Sequence, residues 1–206
     1  MTDAPPAPPA PPRRAELKSR IGLLGGSFNP AHDGHREISV TALERFSLDA
    51  VWWLVTPGNP LKDKSIYAGY EDRLARAREV AQHPNIIVSD FERRRNLQYT
   101  AETLAALTDQ WPSANFIWLM GADSLENFHL WKDWRSIVER LPIAVFNRPG
   151  HETAPDDAPV IKELSGFRLE FSQASTIFEL TPPAWIFVPT TANPRSSTEI
   201  RGSWQS

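Results

Sequence analysis

With 206 residues the chain fits one domain of ordinary size, and its 41% apolar residues, which include 8 Trp and 10 Phe, exclude a disordered chain. A net charge of −3, from 22 Lys plus Arg against 25 Asp plus Glu, lacks the basic excess of a protein that grips a nucleic-acid polymer. Zero cysteines exclude disulfides, thiolate zinc sites and thiol nucleophiles, and suit a reducing compartment, so the expected location is the cytoplasm.

Residues 1–20, MTDAPPAPPAPPRRAELKSR, hold no apolar core of roughly 7 to 15 residues before a cleavage site and so are not a secretory leader. Their Pro/Ala tract, residues 5–12, favours extended polyproline II and packs no core, which makes this stretch a tail. Docking onto a partner domain is its functional alternative. No later stretch reaches the roughly 18 uninterrupted apolar residues of a membrane span, so no membrane partner is expected.

From Ile21 a single domain is expected to run to residue 206. Residues 21–24 form a short apolar run closed by Gly25 and Gly26, a buried strand stopped by a flexible turn. After His35 the apolar positions Ile38, Ala42, Leu43 and Phe46 recur at helical spacing. Residues 50–55 read as a second buried strand broken at Thr56-Pro57-Gly58, and Tyr70, Leu74, Ala77 and Ala81 mark a second helix. A third strand is expected at 86–88, a solvated loop at Arg93-Arg94-Arg95 with phosphate contact as its alternative, a third helix at 100–111 and a fourth strand at 116–120, closed by Gly121. Beyond Phe128, the residues Trp131, Trp134, Val138 and Leu141 lie three or four apart and predict one helical stripe. Residues 143–146 and 185–188 add strands, with a Pro- and Asp-rich surface loop at 150–159. Alternation of this kind predicts βαβ units: an α/β, Rossmann-like, doubly wound and mostly parallel sheet with helices on both faces.

Ligands of open α/β sheets bind at the carboxyl ends of the strands, where Gly25-Gly26-Ser27-Phe28-Asn29-Pro30-Ala31-His32-Asp33-Gly34-His35 falls. Glycines let backbone approach a phosphate, Ser27 and Asn29 can hydrogen-bond, and the helix that follows aims amide donors and partial positive charge at the same place. His32 and His35, three apart, lie on one side of a helical turn and can meet one polyphosphate. A metal site or two surface histidines are the alternatives, although no Cys and no evident third ligand accompany the pair. The chain has neither G-x-x-x-x-G-K-[ST] nor G-x-G-x-x-G, so it is neither a P-loop nor the usual dinucleotide fold.

The segment Gly25 to His35 resembles the G-[TS]-F-[DN]-P-x-H-x-G-H signature of the HxGH nucleotidyltransferases, and within them the bacterial nicotinate-nucleotide adenylyltransferases. Further segments are similar to that family: Thr56-Pro57-Gly58-Asn59-Pro60-Leu61-Lys62, Tyr99-Thr100-Ala101-Glu102-Thr103-Leu104, Met120-Gly121-Ala122-Asp123-Ser124-Leu125 and Ser196-Ser197-Thr198-Glu199-Ile200-Arg201. The resemblance spans about residues 20–201 and implies transfer of AMP from ATP to nicotinate mononucleotide, with magnesium carried by the ATP phosphates and no metal bound by the protein itself. It implies His32, His35 and Arg201 as catalytic. ATP would meet Gly25, Gly26, Ser27, Phe28, Lys62, Gly121, Asp123, Ser196, Ser197 and Thr198. Nicotinate mononucleotide would meet Asn29, Tyr99, Thr100, Trp131 and Lys132. Trp131 would lie against the pyridine, with Trp134 in the core, and the start of the third helix would receive the nicotinate carboxylate. Asp123 has an alternative as a helix N-cap. Lys62 has one as a solvated loop residue. The capping-box spacing of Ser196 and Glu199 predicts a helix start there. Departures from the family pattern are the tail, Arg195 before Ser-Ser-Thr, and a chain that stops five residues after Arg201, leaving a short final helix to hold it. Nicotinamide mononucleotide or phosphopantetheine adenylyltransferases, and a non-catalytic nucleotide-binding protein of the same fold, are the rival readings. Nothing in the sequence speaks to oligomeric state.

Overall fold

Strands β1 (Arg20–Gly26), β2 (Ala50–Val55), β3 (Ile86–Ser89), β4 (Asn115–Gly121), β5 (Ile143–Phe146), β6 (Arg168–Leu169) and β7 (Trp185–Val188) make one sheet in the order β3-β2-β1-β4-β5-β7-β6. The computed structural model describes residues 19–58, 68–147 and 158–189. Every strand pairing among them is parallel. The strands are apolar at nearly every position because both faces are covered. Ile21, Leu23, Trp52, Leu54, Phe116, Trp118, Ile143, Val145 and Trp185 point to one face. Leu24, Val51, Trp53, Val55, Ile117, Leu119, Ala144, Phe146 and Ile186 point to the other.

Helices α1 (Asp33–Arg45) and α2 (Tyr70–Ala81) cover the second face with Ile38, Ala42, Leu74 and Ala77. The first is covered by α4 (Thr100–Gln110), α5 (Leu125–Phe128), α6 (Trp134–Arg140) and α7 (Pro159–Leu164). The order reverses at β1, whose neighbours β2 and β4 lead to helices on opposite faces. In sheets of this kind ligands bind at such a reversal, beyond the carboxyl ends of the strands, which here are those of β1 and β4.

The structure revises several expectations. The proposed boundary at residue 20 is too late, since the Arg20 N–H donates to Asp49 Oδ2 at 2.9 Å and its carbonyl accepts from the Asp49 N–H at 2.8 Å, which stitches it into the sheet. Gly25 and Gly26 end β1 rather than forming a turn. A Cβ on Gly25 would stand 2.4 Å from the Trp118 ring, so indole packing calls for glycine there. Arg93 and Arg94 are not in a loop: with Phe91 they form the short helix α3 (Phe91–Arg94), where Arg94 pairs with Asp90 at 2.8 Å and Arg93 pairs with Glu71. The stripe beyond Phe128 is not one helix. α5 ends at Phe128, Asp133 takes a left-handed φ of 53°, and α6 begins at Trp134, with Leu141 just past its end. The loop expected at 150–159 lies outside the described residues up to 157, and Pro159 begins α7, where its missing N–H costs nothing. A 3₁₀ turn (Ser165–Phe167), β6 and a longer 3₁₀ segment (Phe171–Glu179) complete the segment before β7, a part of the chain for which no element was foreseen.

Candidate active site

The six residues between Gly26 and α1 carry the site. His32 is the N-cap of α1, with extended backbone (φ −148°, ψ 168°), and its Nδ1 accepts the Gly34 N–H at 3.2 Å. His35, three residues on, returns the bond: its Nδ1 accepts the His32 N–H at 3.3 Å. This is a capping box made of two imidazoles in place of the usual hydroxyl and carboxylate. An Nδ1 that accepts carries no proton, so the pattern assigns both rings the neutral tautomer with N–H at Nε2. The rings lie 3.9 Å apart, centroid to centroid. Each is a hydrogen-bond donor fixed by the helix it caps.

Beneath His35 lies an aromatic floor. Phe28, buried with φ 45°, packs its ring 4.8 Å from His35 and stacks on Trp53 at 5.0 Å. Trp53 Nε1 donates to Ser39 Oγ at 2.7 Å, and Ser39 Oγ donates to the His35 carbonyl at 2.8 Å. The loop of contacts closes on α1 and fixes it against β2. Phe28, 1% exposed, therefore supports the imidazoles from beneath. Asn29, also buried, uses Oδ1 to accept the Ala68 N–H at 3.1 Å and ties the turn to the approach of α2. Gly25, Gly26 and Ser27 are half-buried, the two glycines paired with Leu54 and Val55 of β2.

At the end of β4, Gly121 is the N-cap of a 3₁₀ turn (Ala122–Ser124), so the N-cap reading of Asp123 does not hold; Asp123 is exposed in that turn. On the other face, Tyr99 is the N-cap of α4 and Thr100 its first residue. The Tyr99 side chain makes no capping bond. Lys132 Nζ sits 4.0 Å over the Tyr99 ring and 2.9 Å from Glu102 Oε1, a hydrogen bond that raises the ammonium pKa. Trp131 is half-buried, edge-on to Phe128 at 5.1 Å and to Trp118 at 6.5 Å, whereas Trp134 is buried in the core. Tyr99, Thr100 and Lys132 are thus brought together, with Trp131 next to Lys132. Lys62, Ser196, Ser197, Thr198 and Arg201 lie outside the described residues, as does Arg195. Among the described residues no helix is long and apolar enough to cross a membrane.

A family model described as cytidylyltransferase-like matches residues 23–203. The chain is 46% identical, over 89% of its length and 98% of the relative's, to a "Probable nicotinate-nucleotide adenylyltransferase" of Ruegeria sp. (strain TM1040). It is 44% identical, over 89% and 97%, to a protein of the same name from Rhizobium meliloti (strain 1021). The chain belongs to the nicotinate-nucleotide adenylyltransferase family. Its fold is shared with a Plasmodium falciparum nicotinic acid mononucleotide adenylyltransferase complexed with NaAD, at a TM-score of 0.68 and 16% identity over 89% of this chain and 83% of that one. The Rossmann-like assignment follows from the sheet order and that likeness together.

Two buried charged residues of this adenylyltransferase were not anticipated. Arg73 of α2 is buried, and its guanidinium reaches main-chain carbonyls of the turns after β1 and β2. Its signal was present: Arg73 falls within the stripe of Tyr70, Leu74, Ala77 and Ala81, a charged residue on the core face of a helix. Glu92 of α3 is buried too, its Oε1 accepting from Thr103 Oγ1 at 3.0 Å, and burial raises its carboxyl from 4.5 to about 7. No local pattern announces it, since its neighbours Arg93, Arg94 and Arg95 make the segment look solvated.

Proposed function

We infer that this chain transfers AMP from ATP to nicotinate mononucleotide, forming nicotinate adenine dinucleotide and pyrophosphate on the route to NAD. The observation that carries this reading is the reciprocal imidazole cap at the switch point of the sheet, in a chain of this family. An oxygen of the mononucleotide 5′-phosphate attacks the α-phosphorus of ATP. A P–O bond forms there while the bond to the bridging oxygen breaks, and pyrophosphate leaves with the electron pair. A phosphate oxyanion needs no base, so the protein has to align two anions and neutralise charge that grows on the phosphate oxygens. Two Nε2–H donors at the amino end of a 13-residue helix are suited to this work, because helix dipole and imidazoles act on the same anion.

In this proposal Gly25, Gly26 and Ser27 present backbone to ATP. Gly121 and Asp123, beyond β4, take its nucleoside end. On sequence grounds Lys62, Ser196, Ser197, Thr198 and Arg201 complete the phosphate side, Arg201 with a permanently charged fork. Trp131 stacks on the pyridine, and the amides that open α4 at Tyr99 and Thr100 receive its carboxylate, with Lys132 beside them. Asn29 acts by holding the turn. Magnesium fits as a companion of the triphosphate: the donors at the turn are imidazoles and amides, which suit phosphate oxygens better than a hard cation. When bound it would neutralise phosphate charge. The cytoplasm, where ATP is abundant and a cysteine-free chain needs no oxidant, is the proposed place of work.

The test is pyrophosphate release by purified protein with ATP and magnesium, offered nicotinate mononucleotide, nicotinamide mononucleotide or phosphopantetheine. Fastest release with the nicotinate substrate is expected. Equal or reversed preference refutes the substrate, and no release with any of them supports a non-catalytic nucleotide binder.

A further inference from the structure

A buried guanidinium is costly unless its donors are answered. Arg73, 3% exposed, has four of them answered by main-chain carbonyls. Nη1 donates to Ser27 at 2.5 Å and to Thr56 at 2.9 Å, Nη2 donates to Pro57 at 3.0 Å, and Nε donates to Ala68 at 3.2 Å. Those carbonyls belong to the turn after β1, the turn after β2 and the approach to α2; the first two are tied at their base by the Thr56 N–H, which donates to the Gly26 carbonyl at 3.0 Å, and Arg73 gathers all three beyond that point. The Ala68 residue is held from both sides, since its N–H goes to Asn29 Oδ1 at 3.1 Å while its carbonyl goes to Arg73. Ser27 directly precedes Phe28, whose ring is the floor under His35. A planar fork can meet several carbonyls at once, whereas an ammonium is a single point.

We propose that Arg73 is a positioning residue for adenylyl transfer: it latches the turns after β1 and β2 to the entrance of α2 and so fixes Phe28 and the paired imidazoles of His32 and His35. It touches neither reacting atom, and acts through Ser27 and Phe28. The step it serves rests on the adenylyl-transfer reading above.

The experiment compares full-length wild type, Arg73→Lys and Arg73→Met by three readouts: steady-state kinetics for both substrates, thermal melting, and imidazole ¹⁵N resonances. Arg73→Lys keeps the charge and the stem, so it should melt cooperatively. It should nonetheless lose about a hundredfold in kcat, the cost of a misplacement of about an ångström, with KM for either substrate changed less than about threefold. Imidazole signals should depart from the Nε2–H pattern of the wild type in both variants, and kcat should fall further in Arg73→Met. The proposal is overturned if both variants keep native imidazole signals and kcat within about twofold of wild type. It is overturned equally if the loss of activity simply tracks a loss of folded protein whose imidazole signals stay native. Because the resonances need no substrate, a wild type that turned out inactive would refute the functional reading while leaving the latch measurable.

Discussion

Replacing Glu92 with Gln removes the titration while keeping the shape of the side chain, and Oε1 can go on accepting the Thr103 hydroxyl at 3.0 Å. Burial raises the carboxyl from 4.5 to about 7, with hydrogen bonds from Thr103 and Thr56 acting in the opposite direction. A native pKa above the unfolded one means that the native state keeps a proton which the unfolded state has already released. Stability is therefore fully present below pH 4.5 and declines as pH rises towards 7, beyond which the loss is complete. A rise from 4.5 to about 7, at about 1.4 kcal/mol per unit, corresponds to roughly 3 kcal/mol in total. Between pH 5 and 8 the part recovered is roughly 2 to 3 kcal/mol. Urea denaturation of wild type and Glu92→Gln at those two pH values reads it directly, because other titrations cancel in the difference. The variant should gain on the wild type by that amount at the higher pH. A difference that does not change with pH would show that Glu92 ionises normally in the folded protein, and would refute the reasoning from burial.

Three other perturbations probe the site. His35→Ala should lower turnover by about 10²- to 10³-fold, the usual cost of one charge-stabilising donor, with at most about 1 to 2 kcal/mol lost from the helix cap; pyrophosphate release and urea melts separate the two. Gly25→Ala puts a methyl 2.4 Å from the Trp118 ring and should destabilise by about 1–3 kcal/mol in a chemical melt. Trp131→Ala should raise KM for the mononucleotide about tenfold, equivalent to roughly 1.4 kcal/mol of lost stacking, with KM for ATP nearly unchanged.

The central strands were legible because burial on both faces leaves continuous apolar runs, as in Ala50–Val55 and Ile143–Phe146, which are found at the expected residues. Helices α2 and α4 were legible from apolar spacing. α1 starts two residues earlier than its apolar positions suggest, because its cap is formed by His32 and not by a residue type associated with caps. Helical spacing was misleading beyond Phe128. Trp131 and Trp134 are three apart and both pack on the same cluster, yet the left-handed Asp133 separates them. Periodicity records which side chains are buried together, not whether the backbone between them is helical. Nor did the sequence reveal the neighbours of Arg73 and Glu92. The carbonyls that hold Arg73 carry no residue signature, and Thr103 lies 11 positions from Glu92 across an intervening turn.

The imidazole cap explains why a site that handles so much negative charge can begin with two neutral groups. An ordinary cap uses a side-chain oxygen to satisfy an orphan amide of the first turn. Here the Gly34 amide of the first turn and the amide of the His32 cap itself are satisfied by His32 and His35 through Nδ1, which leaves the remaining proton of each ring on Nε2. Helix capping and tautomer selection are thus one set of bonds, and a substitution that kept a good cap without any N–H, such as His32→Asp, would keep the helix while removing the donor. A neutral N–H gives a directional bond that strengthens as charge builds on a phosphate oxygen, and it holds the substrate less tightly in the ground state than a cation would. The positive charge of the described turn sits one layer away, in Arg73, turned toward the protein's own carbonyls. In the proposed reaction placement falls to the buried guanidinium and charge stabilisation to the two imidazoles, so loss of either should depress kcat through different atoms.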